Sequence, residues 1–172
     1  SDSSSSRALV EIIVTGGTFD KEYDEITGRL YFKDTHVLEM LKLGRNLVGV
    51  TTETLMMIDS LDMKPADREK ILDRCRQSEC SSIVITHGTD TMSETARVLG
   101  ESQIPGKTIV LTGAMVPYKF GSSDGLFSLG SALAFAQTLP HGVFVAMNGR
   151  ALPWDNVTKD RATGEFKKST HG

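Results

Sequence analysis

The stretch "VEIIVTGGTFD", residues 10–20, decides the reading of the fold. Its β-branched run, broken by a single glutamate, reads as a strand buried on both faces. The run stops at Gly16 and Gly17 and then presents Thr18. A glycine pair directly after a buried strand lets another group come close to the backbone. That group is a nucleotide phosphate, the chain itself in a tight turn, or a substrate offered to the threonine. Outward from this strand, short β-branched runs alternate with amphipathic stretches. The runs predict strands over 10–15, 48–58, 82–86, 108–112 and 142–147. Between them, helices are predicted for "HVLEMLKL" from His36, "PADREKILDRCRQSE" from Pro65, "TMSETARVLGES" from Thr91 and "LFSLGSALAFAQTL" from Leu126. Pro65 suits a first helical turn, Thr91 and Glu94 have capping-box spacing, and the fourth helix is apolar enough to expect deep burial. The alternation specifies an α/β domain, an open and mostly parallel sheet with helices on both faces.

Three of these strands end in related loops: "VTGGT" at 14–18, "ITHGTDT" at 85–91 and "LTGAM" at 111–115. Each places threonine and small residues at the carboxyl edge of the sheet, where open parallel sheets bind their ligands. One such loop is ordinary turn chemistry. Three together predict a crevice lined by hydroxyls and backbone amides. Nucleotide chemistry does not fit it, because "TGGTFD" lacks G-x-G-x-x-G spacing and no phosphate-loop motif occurs in the chain. No histidine has a partner at helical metal-ligand spacing, and no G-x-S-x-G elbow is present. Spacing therefore gives no support to a metal site and leaves nucleotide binding a weak alternative. His87 is read as a structural hydrogen-bonding residue, and Cys75 and Cys80 as inert thiols.

Composition bounds the partners. The 172 residues carry 19 Lys and Arg against 22 Asp and Glu, a net charge of −3. That balance, with dispersed cations, argues against nucleic acid, and no apolar segment is long enough for a membrane span. Residues 1–7, "SDSSSSR", read as a disordered tail or tag, residues 8–172 as one domain, and the location as cytoplasmic.

Hydroxyl chemistry remains. A threonine is a poor nucleophile until a neighbour accepts its proton, and a lysine oriented by an aspartate such as Asp90 is one candidate. The motifs "TGGTFD", "DSLDM" at 59–63, "HGTDTMSETA" at 87–96, "LTGAMVP" at 111–117, "SSDGLFSL" at 122–129 and "DNVTKDRATGEF" at 155–166 occur in the order found in the bacterial-type L-asparaginase family. The chain resembles that family's N-terminal domain over nearly its whole length after the serine tail. The resemblance implies a cofactor-free amidohydrolase converting L-asparagine to L-aspartate and ammonia. It assigns Thr18 as nucleophile and Thr89, Asp90 and Lys159 as a second catalytic group. It places Asp59 and Ser60 at the substrate's α-carboxylate and neighbouring groups, and Gly88 in the same substrate-binding set. Asp90 also meets the α-ammonium, and the Ala114 carbonyl touches the side-chain amide.

The same resemblance implies a lid tyrosine after the first strand, Tyr23 or alternatively Tyr31, in "DKEYDEITGRL". That charged segment reads as a mobile lid or as a solvated hairpin. The family's C-terminal domain has no counterpart before the chain ends at "EFKKSTHG", so either a naturally short form or a truncated piece is expected. The site is then expected to be closed in a homo-oligomer, a dimer or tetramer. Leu61, where glutaminase-active relatives often carry a polar residue, implies weak glutaminase activity. Two other readings compete: an ammonia-supplying subunit of a tRNA-dependent amidotransferase, and a silent amino-acid-binding module. "GRALPW", residues 149–154, is expected to be a surface loop, with Trp154 serving packing.

Overall fold

A computed structural model describes residues 9–169, and the segment read as a tail, 1–7, lies outside them. In chain order the elements are β1 (Val10–Gly16), β2 (Lys21–Asp24), β3 (Arg29–Phe32), α1 (Val37–Leu43), β4 (Val50–Ile58), α2 (Pro65–Gln77), β5 (Ser82–Thr86), α3 (Met92–Glu101), β6 (Thr108–Thr112), α4 (Gly125–Thr138), β7 (Gly142–Met147), β8 (Arg150–Pro153), β9 (Thr158–Lys159) and β10 (Phe166–Lys167). The predicted mostly parallel sheet is present, with strand order β4-β1-β5-β6-β7-β8. All neighbours are parallel except β8, which runs antiparallel to β7. The chain leaves β1 to one side for β4 and returns to the other side for β5. The direction of winding therefore reverses between β1 and β5, which puts the ligand crevice of such a sheet beyond their carboxyl ends.

The near-continuous apolar runs of the central strands follow from burial on both faces. Ile13, Ile83, Ile85, Ile109 and Leu111 join Ile71, Leu72 and Cys75 of α2 and Met92, Ala96 and Leu99 of α3 in one core. Their odd-and-even neighbours Val10, Ile12, Val14, Val84 and Val110 face the other way. These pack with Val37, Met40 and Leu41 of α1 and Leu129, Ala132, Leu133 and Ala136 of α4. The two-residue period of a strand thus divides one sequence run between two cores. Glu11, buried in β1, pairs with Arg74 of α2, which also reaches Glu53 of β4 at 2.7 Å. One arginine thereby compensates the charge placed inside the central strand.

Three expectations are corrected. The "GRALPW" segment is not a surface loop: Arg150–Pro153 is β8, with Met147 opposite Arg150 and Leu152 buried in the core. Asn148 and Gly149 turn the chain at φ 57° and 74°. An Asn-Gly pair with both residues at positive φ is the two-residue hairpin turn, a signal that lay in the sequence. The apolar helix α4 buries one face only, because it forms an outer layer, and Phe127 on its far side is 62% exposed. Thr91 is the N-cap of α3, yet the capping box does not form. The Thr91 hydroxyl donates instead to the Ser60 carbonyl at 2.8 Å, and Glu94 turns to Arg68 at 3.3 Å.

Trp154 serves packing, as expected. Its indole lies across α3 at Gly100, where an added Cβ would sit 2.1 Å from the ring. The Gly100→Ala variant should lose about 1–3 kcal/mol of stability through overpacking. Urea unfolding followed by Trp154 fluorescence, giving a lower midpoint at unchanged slope, is the check.

Candidate active site

The turn after β1 is held by the two residues that follow Thr18. Phe19 is buried in the core beneath α1 and α4, and Asp20 is buried beside it. The Asp20 carboxylate accepts the His36 N–H at 2.8 Å, joining the start of the β2–β3 hairpin to its exit. Burial pushes the Asp20 carboxyl above the usual range, against the lowering effect of that N–H. With both following side chains held inward, Thr18 is left half-buried at the crevice.

The loop after β5 meets this turn backbone to backbone. Gly17 has φ 88°, and a Cβ there would lie 2.4 Å from the Gly88 nitrogen. Only glycine allows both the conformation and the approach. The loop also seats on the Asp59–Ser60 turn, since Thr91 N–H donates to Ser60 Oγ at 3.3 Å and Ser60 is buried. Three turns distant in sequence, those of Gly17, Ser60 and Gly88, are thus packed into one structure.

Lys159 enters from the far end of the chain. Val157 and Phe166 are buried on either side of the short β9–β10 hairpin, and the Phe166 N–H donates to Asn148 Oδ1 at 2.8 Å. These anchors direct Lys159 Nζ to Thr89 Oγ1 at 2.8 Å and Asp90 Oδ1 at 3.0 Å. Arg161 adds a second cation, with Nη1 3.8 Å from Asp90 Oδ1 and Nη2 donating to the Asp90 carbonyl at 3.3 Å. Asp90, Lys159, Arg161, Met115 and Gly164 line an open polar hollow. Among the described residues, no three His, Cys, Asp or Glu side chains are grouped to hold a metal ion.

Of the residues named from sequence, Thr89, Asp90 and Lys159 are in direct contact, and Gly88 and Ser60 pack beside them with Gly17. Asp59 accepts from the Leu61 N–H at 3.0 Å and from Lys21 Nζ at 2.7 Å. Burial alone would raise its carboxyl, but the Lys21 and Leu61 hydrogen bonds prevail and hold it below the ordinary range. Ala114 is buried against the α1–α4 core, and the following amides, Met115 and Val116, both donate to the Asp124 carboxylate at 2.9–3.0 Å. Tyr23 and Tyr31 both lie on the β2–β3 hairpin, 52% and 42% exposed. By strand alternation Tyr23 shares its face with Lys21, while Tyr31 lies opposite Glu22 on the other face. The Tyr23 ring meets Phe120 edge to face at 6.4 Å.

Lys21, Asp124 and Arg161 were not distinguished by sequence. Each lies inside a quoted segment, but no spacing rule marks a charge whose partner is 38, 9 or 71 positions away.

The family model described as asparaginase, N-terminal, matches residues 9–168. The chain belongs to the asparaginase family. This asparaginase-family chain is 34% identical to a probable periplasmic L-asparaginase of Haemophilus influenzae over 165 residues, 90% of this chain and 47% of that protein. It is 40% identical to a glutaminase-asparaginase of Acinetobacter glutaminasificans over 164 residues, 87% of this chain and 49% of that one. Glutamyl-tRNA(Gln) amidotransferase subunits D also match. The structure of L-asparaginase I from Vibrio cholerae superposes with a TM-score of 0.81 at 25% identity, covering 96% of this chain and 53% of that one. The chain spans about half the length of these asparaginase relatives and about a third of the amidotransferase subunits D.

His87 is fully buried, with ring nitrogens 2.7 Å from the Gly88 carbonyl and from Thr95 Oγ1. Burial lowers its pKa to about 4, so the ring is neutral in the folded protein at neutral pH. An unfolded histidine titrates near 6.5. As pH falls below about 6.5 the unfolded chain takes up a proton that the folded one refuses, and stability falls by up to roughly 1.4 kcal/mol per pH unit. The loss levels off near pH 4, where the folded ring also protonates. Urea midpoints measured from pH 7 to pH 4 should therefore fall less steeply in His87→Leu than in the wild type.

Proposed function

We propose that this domain carries the acyl-transfer machinery of an amidohydrolase that converts L-asparagine to L-aspartate and ammonia. The observation that supports it most is the contact of Lys159 with both Thr89 and Asp90, at 2.8 and 3.0 Å, beside the glycine turn that presents Thr18. Family membership supports it as well.

In this reading Thr18 Oγ1 attacks the side-chain amide carbon, and the new C–O bond forms as the oxyanion is held by backbone N–H groups near Gly17 and Thr89. The C–N bond then breaks, a proton passes to nitrogen and ammonia leaves. Water hydrolyses the β-aspartyl ester and restores the Thr18 hydroxyl. Lys159 and Asp90 hold the Thr89 hydroxyl at the same centre. Tyr23, on the hairpin face that carries Lys21, is the lid residue for the Thr18 proton. Asp59, Ser60 and Gly88 form the seat for the α-substituents, and the Ala114 carbonyl faces the amide. Lys21 already neutralises Asp59, so the hairpin must shift before an α-ammonium takes that carboxylate. A neighbouring subunit closing the open side of the Asp90–Lys159 hollow completes the proposal.

The amidotransferase-subunit relatives favour one second reading, in which the ammonia is passed to a partner enzyme. Ammonia release from L-asparagine by the purified chain decides between them. Turnover without a partner, reduced on the order of 10⁴-fold or more in Thr18→Val, is the expected result. Tight asparagine binding with no turnover would make the domain a binding module, and turnover only with a partner would make it an amidotransferase subunit. An active monomer in sedimentation velocity would contradict the subunit-closed site.

Leu61, 64% exposed beside Asp59, offers a longer substrate no polar partner. Weak glutaminase activity is the expected outcome, and comparable kcat/KM for glutamine and asparagine would refute it.

A further inference from the structure

A buried polar chain runs beneath the crevice, and its two ends determine every proton in it. Arg68 is buried on α2, and its Nε donates to Thr95 Oγ1 on α3 at 3.0 Å. A guanidinium only donates, so Thr95 accepts there and must place its own proton elsewhere. His87 Nε2 lies 2.7 Å from Thr95 Oγ1, whereas the other neighbour, Met63 Sδ, is a weak acceptor at 3.6 Å. At the far end, His87 Nδ1 lies 2.7 Å from the Gly88 carbonyl. A carbonyl only accepts, so Nδ1 carries the proton and Nε2 does not. Arginine as obligate donor and carbonyl as obligate acceptor leave one tautomer of a neutral ring.

The Gly88 carbonyl belongs to the same peptide unit as the Thr89 N–H. All peptide bonds described here are trans, so that N–H points opposite to the carbonyl. The carbonyl is held inward by a ring that is fully buried. The N–H is therefore directed away from the ring, and it donates to no backbone carbonyl among the described residues. The backbone of His87 is itself fixed by its N–H to the Thr112 carbonyl at 2.9 Å. A glycine peptide without such an anchor rotates easily.

We propose that His87, held in one tautomer by Thr95 and Arg68, is a positioning residue that locks the Gly88–Thr89 peptide with its N–H facing the reacting carbonyl. The proposal rests on the amidohydrolase reading for the word reacting, while the lock itself does not depend on turnover. His87 touches no substrate in this scheme. It acts through the peptide, which carries an oxyanion donor to its place before the reaction begins.

The test uses the whole chain, with ¹⁵N-histidine and uniform ¹⁵N labelling, and the variants Thr95→Val and Thr95→Ser. The wild type should give His87 as the Nδ1–H tautomer, and the Thr89 amide resonance should move on titration with L-aspartate. In Thr95→Val the single-tautomer signature should be lost and the Thr89 response weakened. Its kcat should fall about 10²-fold, the cost of one oxyanion donor, with KM changed less than about threefold. Thr95→Ser, which restores the hydroxyl, should recover most of that loss. An Nε2–H tautomer in the wild type would overturn the proposal. So would an unchanged kcat in Thr95→Val, or equal losses in the Val and Ser variants that follow their Tm values. A wild type that fails to release ammonia but has the Nδ1–H tautomer and a responding Thr89 amide would reject the hydrolase reading and support the lock.

Discussion

Gly17 rests on Gly88 with no room between them for a side chain, a Cβ on the first lying 2.4 Å from the nitrogen of the second. This contact sits where the winding of the sheet reverses, so it joins the turns of two adjacent parallel strands that are otherwise free to diverge. Once those backbones touch, the turns that carry Thr18 and Thr89 lie side by side. The remaining parts of the site are arranged around that fixed pair. Ser60 packs under the second turn through Thr91, and Lys159 reaches it from the hairpin anchored by Phe166.

The crevice is lined by charges that already answer one another. Lys21 pairs with Asp59, and Lys159 and Arg161 surround Asp90. In the proposed reading a charged substrate exchanges partners with these pairs, and the hairpin that carries Lys21 holds one of them. Its two ends are tied together by the His36 N–H donating to the Asp20 carboxylate. Beneath the crevice the order is the reverse: Arg68, Thr95 and His87 are buried and joined in one chain of hydrogen bonds. A fixed polar foundation under an exchangeable polar surface is an arrangement that favours preorganised donors.

Much of this was legible before any coordinates. The five principal strands and four helices appear where β-branched runs and helical periodicity place them, because burial on both sheet faces demands such runs. Two of the glycine and threonine loops read at the sheet edge are the ones that meet in the fold, Gly17 on Gly88. Two local signals resolve differently in the fold. Asn148-Gly149 marks a hairpin, and Thr91 with Glu94 has the spacing of a capping box that forms no box. In the first case the short-range Asn-Gly hairpin rule holds. In the second, tertiary partners, Ser60 and Arg68, competed for the same groups and won.

The sequence by itself determined the fold class and the family, because hydrophobic period, turn chemistry and motif order are local properties of a chain. Only the tertiary structure decided which charges meet. Lys21 with Asp59, Arg161 with Asp90 and Asp124 with the Met115 amide are pairs made by loop closure and strand crossing. The direction of the Thr89 N–H was decided in the same way, by a histidine whose tautomer depends on an arginine 19 residues upstream of it. A hydrogen bond acts over about 3 Å, and no pattern within a sequence reports that distance between residues on different elements.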